Sequence, residues 1–226
     1  MCRLVAVASA SPRDPADAIA ALAVVAKRSK EYQGDGWGCA WWNDAQARWD
    51  CHHSIVPLWE DTPPPLPATR RFVAHARSAF GNEGIAVENN MPFCDGGWAF
   101  AFNGELRGVR LSVAGRIGAE RLFRFIRRLG GDRDHAALAR AVEVVARRTR
   151  YLRAMNLVLA SSAIFRVVTR FGVDHEYFTM HRATVDDRVI VSSEPWPAES
   201  AGLHRMAPAP RWEPIPNGTI LELALP

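Results

Sequence analysis

The residue with the clearest chemical potential stands second in the chain. Cys2 follows Met1 and is small enough for an initiator methionine to be trimmed. A chain that begins with cysteine carries two useful groups on one residue, a thiol of ordinary pKa about 8.5 and an α-amine at about 7.7–8.0. The amine can take the thiol proton directly or through a water, so no separate histidine is required. Such a nucleophile suits acyl transfer from an amide through a thioester. The competing readings are an incidental buried cysteine and a retained Met1, which would turn the base into an amide.

The elements that must position Cys2 begin beside it. Residues 4–8 read as a short buried strand at the very chain end, where fraying is the norm, so the terminus is expected to be tied into the core. Helix signals follow at Ser11-Pro12 to Pro15, with Ile19, Leu22, Val25 and Ala26 at helical spacing. Gly34-Asp35-Gly36 stops that helix. Aromatic-rich strands over 37–42 and 48–55 flank the turn chemistry of Asn43 to Gln46. A proline-rich loop over 63–67 leads into a strand over 72–75, and another strand over 98–102 ends in Asn103-Gly104. Helices over 118–129 and 134–150 come next. Strands return at 155–160, 164–171, 176–181, 188–192 and 218–223. Strands, two central helices and strands again suit two sheets covered by helices.

Composition narrows the class. The 226 residues, 48% of them hydrophobic, suffice for one core and one domain over 1–226. With no apolar run of membrane-spanning length and no signal-peptide pattern, a cytoplasmic protein is expected. Cys2, Cys39, Cys51 and Cys94 form no CxxC pair and are expected as reduced thiols. The net charge of +4 is spread over many arginines with no aromatic-interleaved basic motif, and the arginines of 121–153 read as a solvated helical face. Neither nucleic acid nor membrane is expected as a partner. Cys51-His52-His53 alternates across a strand and cannot readily converge on one ion, so no metal is expected, and no cofactor is called for.

Seven blocks carry a resemblance: Met1-Cys2-Arg3-Leu4, Gly34-Asp35-Gly36-Trp37-Gly38, His75-Ala76-Arg77, Glu88-Asn89-Asn90-Met91-Pro92-Phe93, Phe102-Asn103-Gly104-Glu105, Ser192-Ser193-Glu194-Pro195 and Trp212 to Gly218. In this order they resemble the class II glutamine amidotransferases, in particular the stand-alone bacterial branch similar to the γ-glutamyl amide hydrolase of ergothioneine synthesis. The resemblance implies an α+β, four-layer αββα sandwich of the N-terminal-nucleophile type with Cys2 at the end of a central strand. It also implies Arg77, with Ser78 beside it, on the substrate's α-carboxylate, where a guanidinium fork gives two parallel hydrogen bonds. The Asn103 carboxamide and the Gly104 backbone N–H could face one point as an oxyanion hole. Trp37 is expected in the core or the pocket wall, and His75 as a structural residue.

Three positions depart from the family pattern. Gly118 stands where an aspartate should anchor the substrate's α-ammonium, Phe80 replaces a threonine and Met91 a histidine. Each makes the pocket less polar, and a bare ammonium without a partner is costly to bind in a partly dry site. Glu120 is the candidate substitute for the missing aspartate. The expected activity is glutaminase-type cleavage of a γ-carboxamide, glutamine or a γ-glutamyl-like amide, with recognition drifted toward a blocked or absent α-amine. Ammonia would pass to a separate synthase or be released, and a homodimer is compatible with the sequence. The alternative is a catalytically impaired homologue serving as a binding or scaffold subunit.

Overall fold

A computed structural model describes residues 1–197 and 210–224. The chain opens with β1 (Arg3–Arg13), α1 (Ala16–Arg28), the hairpin β2 (Trp37–Asn43) and β3 (Arg48–Ser54), then β4 (Thr69–Ala76). After two short 3-10 turns come β5 (Phe93–Asp95) and β6 (Trp98–Arg107), then the helices α2 (Gly118–Arg128) and α3 (His135–Arg147). The second half adds β7 (Tyr151–Ala160), β8 (Ile164–Val168), the single-turn α4 (His175–Phe178), β9 (His181–Val185), β10 (Arg188–Ser192), β11 (Glu213–Pro214) and β12 (Ile220–Ala224).

These strands form a seven-stranded sheet in the order β11-β9-β10-β1-β4-β2-β3 and a five-stranded sheet in the order β12-β8-β7-β6-β5. The two-residue period of the strands sorts their side chains into three apolar layers. On β1, Val5 and Val7 face α1, whereas Leu4, Ala6 and Ala8 face the other sheet. On β6 and β7, Phe100, Phe102, Leu157 and Leu159 lie under α2 and α3, whereas Ala99, Ala101, Val158 and Ala160 face inward between the sheets. Small residues dominate that middle layer, which lets the two sheets approach closely. The result is helix, sheet, sheet, helices: the αββα sandwich the sequence implied.

The N-terminal strand sits in the centre of its sheet, paired with β10 on one side and β4 on the other. The Ser192-Ser193-Glu194 block pins its start. Leu4 N–H donates to Ser193 Oγ at 2.9 Å, and Ser193 N–H returns a bond to the Leu4 carbonyl at 3.0 Å. Arg3, fully buried, pairs with Glu194, donates to the Tyr177 carbonyl at 3.0 Å and lies 3.8 Å over the Tyr177 ring. One expected strand is absent: residues 176–181 form α4 and its exit, with Tyr177 and Phe178 buried next to the chain start. Tyr, Phe and Thr favour strands, but packing against Met1 and Phe171 outweighs that preference here.

Candidate active site

Cys2 reaches the mouth between the sheets because β1 is central and begins one residue later. A cavity of about 710 Å³ opens there, and Cys2, Arg77, Ser78, Gly104 and Gly118 all line it. The volume falls within the range of sites that enclose a drug-sized ligand. Phe80 and Met91 line it as well, so each of the three departures from the family pattern faces the cavity.

The Cys2 sulfur receives the Ser78 backbone N–H at 3.5 Å and lies 3.7 Å from the Ser78 carbonyl. Burial pushes its thiol pKa up, opposed by the chain-terminal ammonium, the Ser78 N–H and Arg77. Arg77 is shaped by the loop around it. Its N–H donates to the Gly36 carbonyl at 2.8 Å, and its carbonyl accepts from Asp35 N–H at 3.1 Å. Among the described residues the guanidinium hydrogen-bonds to neutral oxygens, Asn90 Oδ1 at 3.3 Å and the Glu83 carbonyl at 3.4 Å. Gly36 permits this arrangement: at φ 102° a side chain there would be strained and would also meet Asn90 Nδ2 and the Ser54 carbonyl, each 2.4 Å from an added Cβ. Asn90 in turn anchors to that same Ser54 carbonyl at 2.7 Å.

On the facing sheet, Asn103 is 1% exposed, and neither its Nδ2 nor its Oδ1 has a hydrogen-bond partner among the described residues. Gly104 beside it leaves no room for a side chain, since an added Cβ would lie 2.1 Å from the Ala154 carbonyl oxygen. A fully buried and unpartnered carboxamide is costly to keep in a folded protein, and such groups call for a reason.

With Met1 in place the Cys2 nitrogen is an amide. The Met1 ammonium bonds Glu31 Oε2 at 2.5 Å, and the Met1 carbonyl accepts from Tyr177 Oη at 2.9 Å and from Gln33 Nε2. Arg153 closes the network, 2.7 Å from Glu31 Oε1 and 2.7 Å from Asp174 Oδ2 and within 3.5 Å of Glu105 Oε2. None of Glu31, Gln33, Arg153 and Tyr177 belongs to a motif block; they meet at the chain start only through the tertiary fold.

Of the two places expected for Trp37, the core is the one it takes, and the expectation for Glu120 is corrected. Trp37 is fully buried in the layer beneath α1, where its Nε1 donates to Asp61 Oδ2 at 2.8 Å and its ring meets His52. It does not line the cavity, because odd-numbered positions of β2 face α1 while Ala40 and Trp42 face the other sheet. Glu120 does not line it either. Its carboxylate is taken by the Arg116 N–H at 2.7 Å, by the Arg116 guanidinium and by Arg124 at 2.7 Å, holding its pKa below the usual carboxylate range. An acidic residue at the third helical position reaching back to the preceding N–H is a capping device. Glu120 therefore does not replace the carboxylate absent at Gly118, where an added Cβ would meet only open space. His75 is fully buried, its Nε2–H donates to the Phe102 carbonyl at 3.1 Å, and burial depresses its pKa to about 3. It is a neutral strut between the sheets.

The fold is similar to that of solved glutamine amidotransferase chains. Glutamine phosphoribosylpyrophosphate amidotransferase from B. subtilis, solved with ADP and GMP, superposes over 99% of this chain with a TM-score of 0.70 and 14% identity. This chain spans only 47% of that enzyme. A glutamine aminotransferase class-II domain protein from Silicibacter pomeroyi matches with a TM-score of 0.65 and 19% identity, covering 99% of this chain and 95% of that one. A predicted glutamine amidotransferase from Pseudomonas aeruginosa gives 0.58 and 14%, covering 99% and 97%. No protein-family model and no curated protein sequence matches the chain.

Proposed function

We propose that the protein is a glutaminase-type amidohydrolase that cleaves a γ-carboxamide through a Cys2 thioester. The observation that carries this reading is the convergence of Cys2, Arg77, Ser78 and Gly104 on one cavity, with the buried, unpartnered Asn103 carboxamide beside Gly104. In the proposed cycle Met1 is first removed and the freed α-amine takes the Cys2 proton. The thiolate adds to the amide carbonyl, and the oxyanion is met by Asn103 Nδ2–H and Gly104 N–H. The α-ammonium then protonates the departing nitrogen, which leaves as ammonia or an amine, and water hydrolyses the thioester with the same amine as base. Arg77, whose fork hydrogen-bonds to neutral oxygens among the described residues, takes the substrate carboxylate.

The polarity of the cavity bears on the substrate. Of the lining carboxylates, Glu31 pairs with Arg153, Glu105 with Arg107 and Arg153, and Glu83 is exposed, while Gly118 offers none. Phe80, Met91, Val109, Leu111, Ile117 and Leu122 form an apolar wall. These features favour a γ-glutamyl-like amide whose α-nitrogen is acylated or absent over free glutamine. The test compares hydrolysis of glutamine with that of an N-acyl-glutamine, alongside labelling by diazo-oxo-norleucine read by mass spectrometry. A single adduct on Cys2 and faster cleavage of the N-acyl amide are expected. An unlabelled chain that still bears Met1 would overturn the enzymatic reading in favour of a scaffold, and preference for free glutamine would overturn the substrate assignment alone.

A further inference from the structure

The two sheets meet at their outer edges, where β3 closes the seven-stranded sheet and β5 closes the five-stranded one. Two hydrogen bonds lash β3 across to the segment around β5. Trp49 Nε1–H donates to the Gly97 carbonyl at 3.1 Å, and His53 Nε2–H donates to the Pro92 carbonyl at 3.0 Å. Residues 49, 51 and 53 share one face of a strand. The bonds therefore lay that face along residues 92–97, with position 51 in the middle of the one stretch and position 94 in the middle of the other. Both of these middle positions are cysteines. Cys51 is exposed, and Cys94 is half-buried against the layer between the sheets. Cys39 belongs to the opposite layer, beneath α1, and Cys2 lines the cavity, so neither competes for this pairing.

We propose that Cys51 and Cys94 form an oxidisable dithiol that closes to an inter-sheet disulfide by exchange with a small-molecule disulfide such as glutathione disulfide. The Cys51 thiolate attacks one sulfur of glutathione disulfide, and a glutathione thiolate leaves. The Cys94 thiolate then attacks the Cys51 sulfur of the mixed disulfide and expels the second glutathione. Two thiols are oxidised, one disulfide is reduced, and the two protons lost by the cysteines end on the two departing glutathione thiolates. The order of attack follows from access: Cys51 is exposed to the small-molecule disulfide, whereas Cys94 is half-buried behind it. The bridge would tie the strand that follows Met91, a residue of the cavity wall, to the opposite sheet.

This inference is independent of the chemistry proposed at Cys2, because peptide mapping reads each cysteine separately. The full-length protein is incubated with glutathione disulfide, alkylated, digested without reduction and mapped. A Cys51–Cys94 linked peptide is expected, retained in Cys39→Ser. In Cys94→Ser the reaction is expected to stop at a glutathione mixed disulfide on Cys51, and in Cys51→Ser Cys94 is expected to stay alkylatable. A wild-type chain in which Cys51 keeps glutathione while Cys94 remains free, or in which Cys94 pairs with another cysteine, overturns the proposal without recourse to any variant.

Discussion

Asn103 and Cys2 make opposite demands on their surroundings. The Asn103 carboxamide is buried without a hydrogen bond to the described residues, so the folded protein already bears the cost of desolvating it. Replacing such a group by an apolar one is close to neutral or stabilising, whereas losing an oxyanion donor slows acyl transfer by roughly 10²–10³. Asn103→Ala is therefore expected to melt at or above the wild-type temperature while amide hydrolysis falls by about that factor. A large drop in melting temperature would mean that Asn103 supports the fold and not the reaction. The Cys2 thiol is held above the usual thiol range, chiefly by burial. In the Met1-bearing chain, iodoacetamide labelling of Cys2 should accordingly keep rising beyond pH about 8.5, since only the thiolate reacts. A labelling profile that levels off below that pH would contradict the buried environment. Cys2→Ala should remove both labelling and turnover.

At the scale of elements, α2 and β6 bring their functional glycines to the cavity in different ways. Gly118 opens α2, and an added Cβ there meets nothing, so Gly118→Asp should fold normally and gain slightly from a negative charge in the first helical turn. Its expected effect is on selectivity: hydrolysis of free glutamine rises relative to N-acyl-glutamine, measured as the ratio of kcat/KM values. An unchanged ratio would separate Gly118 from substrate recognition. Gly104 lies against β7 with no such freedom, and Gly104→Ala should cost the fold about 1–3 kcal/mol or more in a denaturant melt. Much of this layout was legible in the sequence. The periods of two and 3.6 gave most strands and the three long helices, because each element buries one face or two in a regular alternation. Trp37 and Glu120 show where that reading stopped. Which side of β2 faces the cavity is set by the sheet partner, and the reach of Glu120 back to Arg116 depends on the cap geometry of α2. Glu31, Gln33, Arg153 and Tyr177 were not legible at all, since they are assembled around the chain start from four separate parts of the fold.

For the molecule as a whole, the decisive contact is between the sheets, and His75 occupies it. It projects from β4 on the same face as Val73, into the layer between the sheets, and its Nε2–H donates to the Phe102 carbonyl of β6. Burial lowers its pKa to about 3 from an ordinary value of 6.5. Between those two values the unfolded chain binds a proton that the folded one does not, so stability rises with pH across the window and is lost as pH falls through it. The limiting slope for one such group is about 1.4 kcal/mol per pH unit. His53 and His181, also depressed by burial, add smaller losses of the same sign. His75→Gln keeps a donor for the Phe102 carbonyl but cannot titrate. Urea unfolding from pH 7 down to pH 5 should therefore show the wild-type and variant curves converging as the pH drops, the wild type losing stability more steeply. Parallel curves would mean that His75 is solvated or charged in the folded protein, and that the two sheets are not sealed around it.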